Sequence, residues 1–492
     1  MKTKKFVSIF SLIFLGLMLL LPCISLFIMS FMKYSSNKGL FGSPFVGLDS
    51  ITRFLKQTEL IRAIQNTFTI SILALILGVI YLLAAIPAIQ SFQNKVIKAV
   101  AAWIFILPAI LPANTYILLL RSYFSTETLV TGSIWLQLIA AAQNSLRFAS
   151  VFVITALFTK GDIKLQTRKC VLLYIGMKLI RILSTDTGFM SEFSNPLTYE
   201  YLDIYDSLLY RIGIYPMQFS QYAAGYVVKI ALQLLPAVIG GGLLLSLYKS
   251  ESKNAVAVCS KRKYYPGMAL APVPIALILL IGRASFRGQS KLSLPIVQRV
   301  YIYGFLFALV IAAMTISFGL LLASASAQLN KWGFTLITVL YFLSDSLLGP
   351  KILCHHLEAL DTFWILPIQN MHYILPTAIM GTMIIKDKHS QKLLPALPIS
   401  AFGLAFAWFW GDHMAFQFIQ GRDHIFPISL AMKWQLSTTK YVAVFSSSDD
   451  EPLSWLPYVL IPIIVAGACF IIGSVLSRTQ GQCSKKREAQ YG

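Results

Sequence analysis

The chain has 492 residues, 57% of them hydrophobic and 12% charged, with a mean hydropathy of +0.69. So few charges cannot cover the surface of a soluble protein this long, and several apolar runs exceed the roughly 20 residues that cross a bilayer. The net charge of +21 lies mostly in short loops between those runs; there Lys and Arg set topology and meet anionic headgroups, so membrane lipids are the expected partner and nucleic acid is excluded.

Lys2, Lys4 and Lys5 precede an apolar stretch over 6–32. It is too long for a signal peptide and lacks a small-residue cleavage site, so it reads as an uncleaved first span. Further spans are predicted at 63–89, 99–120, 134–158, 170–190 and 222–247. A second set follows at 265–282, 300–327, 332–348, 364–385, 395–411 and 455–476. The fold class is therefore an all-α membrane protein with about twelve transmembrane helices in two six-helix halves. The first half covers 1–247 and the second 265–478, with a polar, basic linker at 248–264 and a basic tail at 479–492.

Loop charge orients these spans. Lys95, Lys98, Lys160, Lys164, Arg168, Lys169, Lys249, Lys386, Lys388 and the tail fall on one side. Glu192, Glu200, Asp203, Asp206, Asp449, Asp450 and Glu451 fall on the other. The basic side is expected to be cytoplasmic, placing both termini inside a cell membrane. Arg283, Arg287, Lys291 and Arg299 dissent. Segments 186–221 and 412–454, rich in aromatic and polar groups, read as caps on the outer side.

Chemical motifs are sparse. The phosphate-binding pattern G-x-x-x-x-G-K-[ST] is missing, so no enzyme activity and no nucleotide or other cofactor is expected of this chain. The six cysteines are scattered without metal spacing. Cys354-His355-His356 reads as an outer loop, and no metal site is expected. Arg147, Lys178 and Arg181 lie within apolar runs, where a charge at mid-bilayer costs about 2.5–3.5 kcal/mol and must find a cavity, a partner or an interface. Lys178 and Arg181 read as snorkelling from a short span or as a polar wall. Asn66, Gln143 and Asn144 are polar groups in or opening spans, suited either to binding sugar hydroxyls or to interhelical hydrogen bonds. Trp410 suits a sugar ring face or an aromatic belt. Pro87, Pro108, Pro112 and Pro236 interrupt spans, where they would kink or hinge a helix.

Several stretches resemble binding-protein-dependent ABC permeases for carbohydrates. Residues 39–48, GLFGSPFVGL, are similar to the segment after the first span in the subfamily that imports complex oligosaccharides. Asn66-Thr67 with Ile70-Ser71 resembles that subfamily's N-T-x-x-I-S start to the second span. Residues 194–225, SNPLTYEYLDIYDSLLYRIGIYPMQFSQYAAG, resemble its last outside segment and final helix. In the second half, Leu360-Asp361-Thr362-Phe363-Trp364, Leu394-Pro395-Ala396-Leu397-Pro398, Trp410 and Phe426-Pro427-Ile428 resemble the partner permease in order and spacing.

The resemblance implies two permease units fused in one chain. It further implies an extracytoplasmic substrate-binding protein as partner, cytoplasmic ATPase subunits as motor, and Asn66, Gln143, Asn144 and Trp410 along the substrate path. One departure counts against the motor. Such permeases carry an inside loop beginning E-A-A that forms short helices docking into the ATPase. Here the corresponding loops are 159–169, with Lys160, Gly161 and Asp162, and 386–394, with Lys386, Asp387 and Lys388. At about 1.5 Å rise per residue neither can hold two helices and a turn. The expected function is the permease of a sugar or oligosaccharide importer. The alternatives are a degenerate permease serving as scaffold or sensor, and an ion-coupled secondary transporter with Asp345 as its best carboxylate.

Overall fold

The computed structural model describes residues 20–35, 38–92, 94–112, 114–116, 133–158, 163–185, 199–214, 216–250, 294–344, 374–386, 396–411 and 456–473, with Ile13, Gly16, Leu17, Leu119 and the two-residue strands Lys291–Leu292 and Glu451–Pro452. The span at 265–282, most of the linker, Asp345, the Cys354-His355-His356 loop, the segment 412–450 and the basic tail lie outside the described residues.

Apolar side chains in lipid force the backbone to satisfy its own hydrogen bonds, so these runs become helices. In chain order they are α1 (Leu20–Met29), α2 (Leu60–Ser91), α3 (Lys95–Ile110), α4 (Ser133–Phe158), α5 (Ile163–Ile180) and α6 (Phe219–Ser250). Then come α7 (Leu294–Gln328), α8 (Asn330–Leu343), α9 (Ile374–Lys386), α10 (Ala396–Gly411) and α11 (Leu456–Gly473). Four of them, α2, α6, α7 over Tyr301–Gln328, and α11, are long and apolar enough to cross a membrane. The described residues thus form an all-α membrane protein, apart from one short antiparallel strand pair.

One boundary differs from expectation in a way that matters. The span predicted at 170–190 is α5, which begins at Ile163 and ends at Ile180. Its first turns carry Lys164, Arg168 and Lys169, polar enough to look like loop yet fully compatible with helix. No more than four residues, 159–162, therefore separate α4 from α5, and these lie outside the described residues. Nine residues separate Lys386 of α9 from Ala396 of α10.

The packing order repeats. Helix α2 packs on α3, α4 and α5, and α4 packs on α3. Five helices later, α7 packs on α8, α9 and α10, and α9 packs on α8. The last pair of each set crosses at a glycine. A Cβ on Gly240 of α6 would stand 2.5 Å from the Gly176 carbonyl of α5, so only glycine permits that approach. A Cβ on Gly403 of α10 would stand 2.9 Å from the Cα of Ala466 on α11.

Contacts between the two sets also come in exchanged pairs. Helix α6 meets α8, and α11 meets α3 where Gly467 lies against the Trp103 indole. Helix α10 meets α3, and the end of α5 meets α8 through Arg181. Helix α4 meets α9, its own counterpart. Such exchange is what a two-fold relation between the sets produces. One apolar core runs through both, with Tyr174, Met177 and Leu244 packed among Phe334, Ile337, Leu375 and Ala407.

Candidate functional site

One end of the bundle carries a cap. Residues 199–214 form the short helices Tyr199–Leu202 and Tyr205–Leu209 and a π-turn at Tyr210–Ile214. The cap has its own apolar core, in which Phe54, Tyr205, Leu208, Leu209 and Tyr222 are buried together. Backbone groups left over by such short helices need partners, and the membrane helices supply them. Thr67 on α2 accepts from the Tyr205 backbone N–H at 2.8 Å. Asn66 donates its amide to the carbonyls of Glu200 (3.1 Å) and Asp203 (3.2 Å). Gln137 on α4 donates to the Tyr201 carbonyl (2.9 Å) and to Asn66 Oδ1 (3.2 Å). The Tyr205 hydroxyl donates to the Gly225 carbonyl of α6 at 2.7 Å.

Charge then fixes the cap. The Asp203 carboxylate, 0% exposed, meets Arg211 Nη2 at 2.6 Å and accepts from the Ser207 hydroxyl at 2.8 Å. Arg211 also reaches Glu59, just before α2, at 2.5 Å, and lies 4.5 Å over the Tyr199 ring. Lys229 on α6 pairs with Asp206 at 2.7 Å. Burial pushes the Asp203 carboxyl above its ordinary 3.8, outweighing the Ser207 and Arg211 contacts that lower it.

Below the cap, α4 and α5 hold buried cations. Lys178 is 5% exposed; its ammonium donates to Asn144 Oδ1 at 2.8 Å and lies 5.6 Å from the Phe148 ring centre. It is buried rather than snorkelling, because a carboxamide and an aromatic face from the neighbouring helix receive it. Arg147 is buried with its guanidinium 4.7 Å over the Trp408 ring of α10. Arg181 Nε donates to the Tyr341 carbonyl at 2.8 Å and Nη2 to Ser344 Oγ at 2.7 Å. Tyr226 and Cys23 both donate to the neighbouring Leu343 carbonyl. Donors from α1, α6 and the residue after α5 thus cap the terminal carbonyls of α8, where a helix end attracts positive charge.

At the opposite end, Lys386 of α9 donates to the Tyr248 hydroxyl of α6 (3.2 Å) and to Asn330 Oδ1 of α8 (3.3 Å). Tyr248 stacks on Phe334 at 4.7 Å. Lys386, at the start of the second short loop, is therefore tied to the body. Lys160, Gly161, Asp162, Asp387 and Lys388 lie outside the described residues.

The four residues expected along a substrate path are scattered in role. Asn66 belongs to the cap, and Asn144 holds Lys178. Gln143 is buried on α4 one residue before it. Trp410, 1% exposed, donates its indole N–H to the Tyr458 carbonyl of α11 at 2.9 Å and packs against Phe406, Tyr301 and Tyr458. The structure brings Asn144 together with Lys178, and does not bring Trp410 to Asn66. Sequence reasoning overlooked Lys229 and Gln233, although polar residues four apart inside an apolar run were a visible signal.

Helices of bilayer length with apolar faces, and a charged cap at one end, define an α-helical membrane protein. No protein-family model and no curated protein matches the chain. Among solved structures, a chain of a bacterial alginate ABC transporter, crystallised in complex with an alginate pentasaccharide-bound periplasmic protein, aligns at 18% identity and a TM-score of 0.35, covering 43% of this chain and 85% of that one.

Proposed function

We propose that the chain is the membrane-spanning permease of an ABC-type importer for sugars or oligosaccharides, with two permease-like halves of six helices each, 1–247 and 265–478, joined through 248–264. The observation that carries this reading is the repeat of helix pairings, α2–α6 by α7–α11, with exchanged contacts between the sets. Two related bodies that meet through paired contacts can rock against each other and alternate access to a site between them. The motif resemblances in 39–48, 66–71 and 194–225 supply the class and substrate. The cap end, rich in acids and aromatics, faces outward and receives an extracytoplasmic binding protein; the basic end faces the cytoplasm of a cell membrane. ATP hydrolysis belongs to separate subunits. The test is gentle solubilisation of the tagged chain from its native membrane: co-purification of an ATPase subunit and a sugar-binding protein supports the reading, and recovery of neither opposes it.

A second reading rests on the connections. Four residues between α4 and α5 and nine between α9 and α10 are too few for docking helices. A ligand drives a conformational change only by contacting the two states differently. A permease-shaped body without that grip would serve as scaffold or sensor, and would be recovered without an ATPase.

A further inference from the structure

Helix α6 buries one face along its length, and most members of that face have a defined duty. Tyr226 donates to the Leu343 carbonyl, Lys229 pairs with Asp206, Gly240 permits the crossing with α5, and Leu244 fills the core beside it. Gln233 lies on the same face, one turn beyond Lys229 and two turns before Gly240. It is 0% exposed, and neither its Nε2 nor its Oε1 has a hydrogen-bond partner among the described residues.

That arrangement is costly. A buried polar group without a partner is destabilising, and replacing it by an apolar group of similar shape removes the penalty. Its neighbours Leu232, Leu234 and Leu235 are exposed, while Gln233 turns inward. Lipid offers no substitute donor or acceptor. Pro236, in the next turn, removes the N–H that would serve the Leu232 carbonyl, so the backbone here also lacks an internal bond.

We infer that Gln233 is a binding residue for a neutral, hydroxyl-bearing ligand admitted between α6 and its neighbours, which on the importer reading above is the sugar in transit. A carboxamide donates and accepts at once, as a hydroxyl does, and it carries no charge. The nearest cation on this face, Lys229, is already matched to Asp206. The site is therefore selective for neutral sugars over acidic ones.

The test uses the full chain in lipid nanodiscs, as wild type, Gln233→Leu and Gln233→Asn. Thermal unfolding is followed without ligand and with millimolar tetrasaccharides: α-1,4-glucan, β-1,4-glucan, β-1,4-xylan, β-1,4-mannan and an oligouronate. Without sugar, Gln233→Leu unfolds at a higher temperature than wild type. With at least one neutral tetrasaccharide the wild-type midpoint rises, while Gln233→Leu needs at least about tenfold more sugar for the same rise. Gln233→Asn retains part of the response. A lower ligand-free midpoint for Gln233→Leu would make the amide a structural group bridged by internal water and overturn the inference. Equal sugar responses in wild type and Gln233→Leu would also overturn it while leaving the importer reading standing. A wild type that none of the sugars shifts overturns it as well, and the importer reading is then decided separately by uptake.

Discussion

Arg181, one residue past the end of α5, holds Tyr341 of α8 in two ways at once: its Nε donates to the Tyr341 carbonyl at 2.8 Å, and its guanidinium lies 4.0 Å over the Tyr341 ring. With Nη2 on Ser344, this joins the two sets of helices at one point. A planar fork is needed for all three contacts, and an ammonium cannot replace it. Arg181→Lys is expected to lose about 2 kcal/mol and Arg181→Ala about 2–4 kcal/mol, because carbonyls at a buried helix end lose their donor. Tyr341→Leu keeps both hydrogen bonds and loses only about 1 kcal/mol of cation–π attraction. Thermal unfolding in nanodiscs ranks the three.

The cap carries a pH signature. Burial raises Asp203 above 3.8, so the folded state binds its proton more tightly than the unfolded chain does. The stability this contributes is fully present below pH 3.8 and is lost as pH rises through the higher folded value. Asp203→Asn removes that dependence and keeps one acceptor oxygen, which can take the Arg211 donor, while its amide N–H turns to the Ser207 hydroxyl oxygen. It is expected to lie within about 1 kcal/mol of wild type at neutral pH. Asp203→Ala strands Arg211 beside Glu59 alone and costs about 3 kcal/mol. Unfolding midpoints of the three proteins between pH 4 and 8 check the sign.

Helix crossing at Gly240 gives a paired test. Gly240→Ala places a methyl 2.5 Å from the Gly176 carbonyl, and the helices must part. Overpacking of this kind costs about 1–3 kcal/mol. At Gly242 an added methyl meets nothing within 4 Å, so Gly242→Ala is expected to be neutral, or to stabilise by up to about 1 kcal/mol because alanine is the better helix former. The difference in unfolding midpoint between these neighbouring substitutions measures the crossing alone.

Trp410 separates core from path. Trp410→Phe keeps the stack with Phe406 and Tyr458 and removes the donor to the Tyr458 carbonyl. It is expected to cost about 1–3 kcal/mol and to leave the half-saturation for sugar uptake unchanged. A raised half-saturation would return Trp410 to the substrate path.

Hydropathy made most of the fold legible, since α2, α4, α6, α7 and α11 begin and end within several residues of the apolar runs. It misplaced α5 because Lys164, Arg168 and Lys169 form a polar first stretch on a true helix. The partners of the buried cations were not legible. Lys178 meets Asn144 across 34 positions, and Arg181 meets Tyr341 across 160. No local pattern encodes such distances, so snorkelling looked sufficient. The 194–225 segment stood out by its residues, but its ion pairs depend on Glu59 and Lys229, which sit on other elements. Gln233 was readable as a polar residue in an apolar run; that its amide faces inward without a partner is a property of packing.

Uptake of labelled neutral oligosaccharide, in host cells with and without the gene for this chain, tests the importer reading most directly. The expected result is accumulation that requires the chain, stops when ATP is depleted, and continues when the proton gradient is collapsed with ATP maintained. Accumulation that survives ATP depletion and fails with the gradient, or no flux that depends on the chain, would contradict it.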